Sequence, residues 1–211
     1  MVSLICRVCF RAKLFAVKLD EYLNESPARQ ITAKSAAKAV QPPLTEEFTS
    51  SPCILMFCAA NDQGIARDQS FPAACAGTKH IFKIGAAEAS GAVWKWVGDP
   101  ADVDFIFPGH RVVKDHPNYS LETNCDILTG SSAATAIASG LAALILYCVQ
   151  LSARQTEHLN QQQVHGARTV TMNDYKTMKR HGRMKEAFLA LGTSQASGNK
   201  YVEVWHVFES E

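Results

Sequence analysis

Gly130, Ser131 and Ser132 stand together in "TGSSAATAIASGLAALILYC", residues Thr129 to Cys148, at the head of a run of small and branched apolar residues. A serine hydroxyl becomes an effective nucleophile when an imidazole takes its proton and a carboxylate orients that imidazole. The head of a helix helps, because its free backbone N–H groups and the helix dipole favour negative charge developing on a substrate oxygen. Ser132 occupies that place, and the chemistry it could carry there is acyl transfer.

The same letters admit two plainer readings, a membrane span and a core helix with a polar start. From Ile127 to Ala153 no residue is charged, which is long enough for a span. Its first half, however, is alanine, serine, threonine and glycine, and its flanks lack a lysine or arginine cluster and an aromatic belt. A helix apolar all round is also what the centre of an α/β domain requires. The segment is therefore predicted to be a core helix reaching about Gln150, and no membrane partner is expected.

The rest of the chain must position this helix head. Its 211 residues suit one domain with a core of ordinary size. A net charge of +1 gives no field that would gather nucleic acid. Lys176, Lys179, Arg180, Arg183 and Lys185 crowd one predicted helix without stacking aromatics, so they read as a solvated face and no nucleic-acid partner is expected. The seven cysteines are an odd set in mostly apolar sequence and read as reduced thiols. Cys6 and Cys9 form a C-x-x-C pair, but no second pair or histidine cluster stands at ligand spacing, so no metal is expected. The opening "MVSLICRVCFRAK" has arginine inside its apolar stretch and no small-residue cleavage site, which argues against a secretory signal and, with the thiols, for a cytoplasmic chain.

Continuous apolar runs at Leu14 to Leu19, Cys53 to Ala60 and Ile81 to Ile84 read as strands covered on both faces. A helix is predicted between the first two, with Ser26 as cap, Pro27 at its first position, and Pro42 and Pro43 ending it. Strand, helix, strand in that order predicts a parallel α/β sheet. "VWKWV" and "VDFIFPG" read as further strands. Residues Ser152 to Asn173 read as polar loop or helix end, Asp174 to Leu191 as one helix with Met184, Phe188 and Leu191 on its apolar face, and "KYVEVWHVF" as a closing strand.

At this point the letters resemble a known family. "GSSAATAIASGLAALIL" is similar to the nucleophile segment of the subtilisin-like serine peptidases, G-T-S-x-A-T-P running into a small-residue helix. Gly130, Ser132, Ala134 and Thr135 match, while Ser131 and Ala136 depart from the pattern. "ILMFCAANDQG" resembles the strand ending at the oxyanion-hole asparagine, a role the resemblance carries to Asn61. "SFPAACAGTKHIFKIGAAEASG", "VDFIFPG" and "AKLFAVKLDE" resemble further family blocks in the same order. The likeness covers about Ala12 to Leu151, and is closer to the intracellular fungal branch when "NKYVEVWHVF" is counted.

The resemblance implies an α/β, subtilisin-like three-layer fold with a mostly parallel sheet, incomplete at its N-terminal side. It divides the chain into a non-matching stub at 1–11, a partial peptidase domain at 12–151, and a helix-plus-strand extension at 152–211. It implies a peptide or protein substrate and no cofactor; some relatives carry structural calcium, for which no site is legible here. It says nothing of oligomeric state.

"GTSQA", Gly192 to Ala196, matches the front of the nucleophile signature more literally and nominates Ser194. Ser197, Gly198 and Asn199 then make a turn, so no helix begins there to hold a nucleophile, and Ser132 is preferred. The family order of the triad is Asp, His, Ser, and only Met1 to Arg11 precede the first matched block. Neither the aspartate strand nor the H-G-T helix is present. His165 and His181 precede glycine but follow Ser132 in the chain, and His80, His110, His116, His158 and His206 match nothing. Between Val40 and Cys53, "QPPLTEEFTSSP" stands where the family has a strand and a wall of the substrate groove. Three expectations follow: a serine endopeptidase domain that is inactive or nearly so as written, a catalytically dead peptide-binding or interaction module, or a coding sequence whose missing exons hold the Asp and His.

Overall fold

The computed structural model describes residues 1–13, 21–22, 30–31, 54–64, 81–113, 127–161 and 169–207. The predicted strand at Leu14 to Leu19, the predicted helix after Ser26, the "QPPLTEEFTSSP" segment and His80, His116 and His165 lie outside these residues. The chain divides into two compact units, Met1–Ala12 with Cys53–Glu211, and Lys13–Pro52. In the smaller unit the two-residue strands β1 (Glu21–Tyr22) and β2 (Gln30–Ile31) pair antiparallel.

The larger unit begins with α1 (Val2–Val8). Its sheet is built from β3 (Met56–Ala59), β4 (Ile81–Ala87) and β5 (Phe105–Pro108), all parallel. A separate hairpin, β6 (Val112–Val113) with β7 (Ile127–Leu128), leads into the long helix α2 (Ser131–Gln161). Then come α3 (Met172–Met178), α4 (His181–Ala190), β8 (Thr193–Ser194) and β9 (Tyr201–Val202). The sheet order is β3-β4-β5-β9-β8, with β9 parallel to β5 and only β8 antiparallel. The fold is thus α/β with a mostly parallel sheet.

β4 shows why. "IFKIGAA" has no polar alternation, and six of its seven residues are buried, which is the signature of a central strand covered on both faces. α2 lies against β3, β4 and β5 and buries Ala134, Ala138, Leu141 and Ala142 in the same core as Phe82, Ile84, Phe105 and Phe107. Met184 and Phe188 of α4 close that core. By length and composition alone α2 could cross a membrane; its small residues here provide a flat face for close approach to the sheet.

α1 packs on the other small-residue stripe of α2, with Leu4 buried beside Ala133 and Ala136. Gly140 permits this approach. A Cβ there would lie 2.8 Å from Val8 Cβ and 3.2 Å from the Ile5 carbonyl oxygen, neither of which can swing aside. Gly140→Val is expected to dislodge α1 despite removing a helix-weakening glycine. Cys9, 2% exposed in the native fold, should then react with a thiol reagent at a rate approaching that of exposed Cys148, read by mass spectrometry. Unchanged Cys9 protection would refute the packing argument.

Four sequence expectations need correction. "VWKWV" is not a strand: Val93 makes a single bridge to Ala87, beyond the stretch of β4 that β3 pairs, and Trp94–Val97 then closes a turn that ends the pairing. α2 runs to Gln161 rather than Gln150; the polar residues after Ser152 are good helix formers on an exposed face, and no glycine or proline stops them. The single helix expected over Asp174 to Leu191 is two, broken where Arg180 adopts an extended conformation as the N-cap of α4. The closing strand lasts two residues and gives way to a 3₁₀ turn at Val204–Val207.

α3 carries its own start signal. Thr171 accepts from the Asp174 N–H while Asp174 accepts from the Thr171 N–H, a reciprocal capping box. These bonds, the Thr171 hydroxyl first, hold the Asp174 carboxyl below its ordinary range. A depressed folded value contributes stability above the unfolded titration range and loses it as pH falls through the folded value. Thr171→Ala should therefore lower Tm at about pH 6, and the difference from wild type should close toward about pH 2. A pH-independent difference would show that the carboxylate is not involved.

Candidate functional site

The C-terminal ends of β3, β4 and β5 all reach the head of α2. This is the edge where open α/β sheets place their ligands, because the strand-following loops there are free to vary. The described part of the loop after β3, Ala60–Gly64, is tied at Asn61, whose carbonyl accepts from Gly98 N–H at 2.8 Å. The residue after β5 is Gly109, whose carbonyl accepts from Gly130 N–H at 2.7 Å. Gly130 is the N-cap, accepting from Ala133 N–H at 3.0 Å, and has φ +131.

Ser131 and Ser132, adjacent in sequence, have opposite fates. Ser131 is 0% exposed. Its hydroxyl donates to Asp62 Oδ1 at 2.5 Å and accepts from Ala86 N–H of β4 at 3.1 Å, and its own N–H donates to Asp62 Oδ2 at 2.7 Å. It is the bolt joining helix head, sheet and loop. Ser132, one residue on, is exposed within the first turn of α2. Helix geometry turns successive residues by about 100°, so one serine faces the core and the other faces outward.

Asn61 is half-buried in the loop two residues beyond β3. Its neighbour Asp62 makes the two bonds to Ser131, so the chain brings the Asn61 segment to the same turn that carries Ser132. A built Cβ on Gly130 would lie 2.9 Å from Asp62 Oδ2 and 3.6 Å from Ser132 Oγ. Both oxygens therefore lie close to the same point beside Gly130.

Ser194 is elsewhere: it sits in β8, is half-buried, and leads into a 3₁₀ turn at Gln195–Ser197 rather than a helix. Among the described histidines, His110 stacks on Trp94 with ring centroids 5.7 Å apart, and His181 stacks on Phe82 at 4.0 Å. His158 is exposed near the far end of α2.

Asp62 is the residue at this site that sequence reading missed. An aspartate after a strand reads as a turn residue, and its partner lies 69 positions away. The available signal was the polar cluster Asn61-Asp62-Gln63-Gly64 directly after an apolar strand.

No protein-family model matches the sequence, and no curated protein matches it. Among solved structures, the chain is similar to the prenylagaramide maturation protease PagA at 20% identity and TM-score 0.41, over 74% of this chain and 50% of that one. It is similar to a mutant of the protease domain of PatA at 18% identity and TM-score 0.41, over 71% and 45%. A lanthipeptide protease matches at 19% identity and TM-score 0.35, over 44% and 36%. The chain thus spans half or less of each of these proteins.

Proposed function

We propose that the chain carries the nucleophile half of a subtilisin-like serine endopeptidase site, with Ser132 as the attacking hydroxyl and Asn61 as the oxyanion donor. The observation that carries this reading is an exposed serine in the first turn of a core helix, with the residue after Asn61 hydrogen-bonded to that turn. In the reaction Ser132 Oγ bonds to the peptide carbonyl carbon, the carbonyl electron pair moves onto oxygen, and the hydroxyl proton passes to a base. Collapse expels the amine, which takes up a proton, and water then releases the acyl group. The Asn61 amide and the helix head stabilise the transient oxyanion, a contact worth about 2.7–4 kcal/mol where single donors of this kind are removed.

No residue here matches the family's base or its orienting carboxylate. Turnover is therefore expected to be low or absent, since serine peptidases stripped of triad members keep only about 10³–10⁴-fold over water. The missing base favours a second reading, a catalytically dead peptide-binding module. A fluorophosphonate probe separates the two. Labelling of wild type that disappears in Ser132→Ala supports the peptidase reading; a wild type that resists the probe while still binding peptide supports the module.

A further inference from the structure

We infer that Asp62 holds the proposed oxyanion site shut by placing its own negative charge on the head of α2. This deepens the reading of Ser132 as nucleophile and rests on it. The first turn of a helix offers one set of free N–H donors, pointing out along its axis, and one positive dipole end. Here the Ser131 N–H and the Ser131 hydroxyl both already donate to the Asp62 carboxylate, at 2.7 and 2.5 Å. One backbone donor of the helix head, and with it part of the positive dipole end, is thereby engaged by a resident anion.

The geometry makes this more than a cap. The carboxylate and the Ser132 hydroxyl both crowd the point where a Cβ on Gly130 would stand, 2.9 Å from Asp62 Oδ2 and 3.6 Å from Ser132 Oγ. Ser131 is fully buried and receives a third bond from Ala86 N–H, so the clamp cannot swing away without breaking into the sheet. Any negative oxygen formed on a group bonded to Ser132 meets a like charge at short range. At the effective dielectric of a protein surface, that repulsion amounts to roughly a ten- to hundredfold loss in affinity for an anionic adduct.

An arylboronic acid tests this without requiring turnover. Ser132 Oγ forms a bond to the trigonal boron, no boron bond breaks, and the hydroxyl proton leaves to buffer, giving a tetrahedral boronate anion that ¹¹B NMR distinguishes from the free acid. Asp62→Asn keeps the side-chain shape and an oxygen to accept from Ser131 N–H while removing the charge. It should bind phenylboronic acid as the tetrahedral adduct at least about tenfold more tightly than wild type, and the signal should vanish in the double variant with Ser132→Ala. Should Asp62→Asn not fold, Asp62→Ser carries the same test, since it removes the charge while keeping a hydrogen-bonding oxygen in the loop.

Equal adduct affinity in wild type and the neutral variants, with the signal still dependent on Ser132, would overturn the role of Asp62 and leave the nucleophile in place. No tetrahedral signal in any of them would overturn the nucleophile reading and, with it, this inference.

Discussion

Phe188→Ala is expected to lower the free energy of unfolding by about 3–5 kcal/mol, the cost of emptying a fully buried aromatic site. Phe188 is 0% exposed and is the hub of the aromatic core. Its ring lies 5.3 Å from Phe105 in an edge-to-face arrangement, 5.7 Å from Phe107, 5.8 Å from Phe82 and 6.4 Å from Phe57. These four rings come from β3, β4 and β5, so one side chain of α4 joins every long strand of the sheet. Deleting it leaves a cavity that rigid strands cannot close. Domains of this size are stable by about 5–15 kcal/mol, so the loss removes a large share of the total. Urea unfolding followed by circular dichroism measures it, with Phe188→Leu expected to cost much less. A loss below about 1 kcal/mol would mean the aromatic cluster does not carry the core.

Gly130→Ala should strike stability and reactivity together. At φ +131 an L residue is strained, which costs about 1–3 kcal/mol. The new methyl would also lie 2.9 Å from Asp62 Oδ2. Ordinarily a carboxylate could rotate away, but this one is pinned by two bonds to buried Ser131. Relief therefore requires breaking the clamp or shifting the first turn of α2, and either moves Ser132. The expected result is a lower Tm together with altered boronate binding at Ser132. A variant with native Tm and native boronate affinity would contradict the described geometry of this turn.

Parts of this were legible from letters alone. Continuous apolar runs marked β3 and β4, because a strand covered on both faces has no polar alternation to show, and "VDFIFPG" read as the further short strand that is β5. The small-residue run after Gly130 marked α2 as a helix destined for close packing. Met184 and Phe188, four apart, were readable as one buried helix face. The errors came where local pattern and tertiary context compete. "VWKWV" has strand composition but turns away from β4 after one bridge, and the polar end of α2 looks like loop because an exposed helix carries no apolar periodicity.

The sequence by itself determined the type of each central element and the position of Ser132 at a helix head, since both follow from short-range periodicity and side-chain size. Only the tertiary structure decided which of two adjacent serines is buried, and that Asp62, Ala86 and Ser131 meet across three separate segments. The reason is physical: hydrogen bonds between residues far apart in the chain depend on strand register and loop path, which no local pattern of letters encodes.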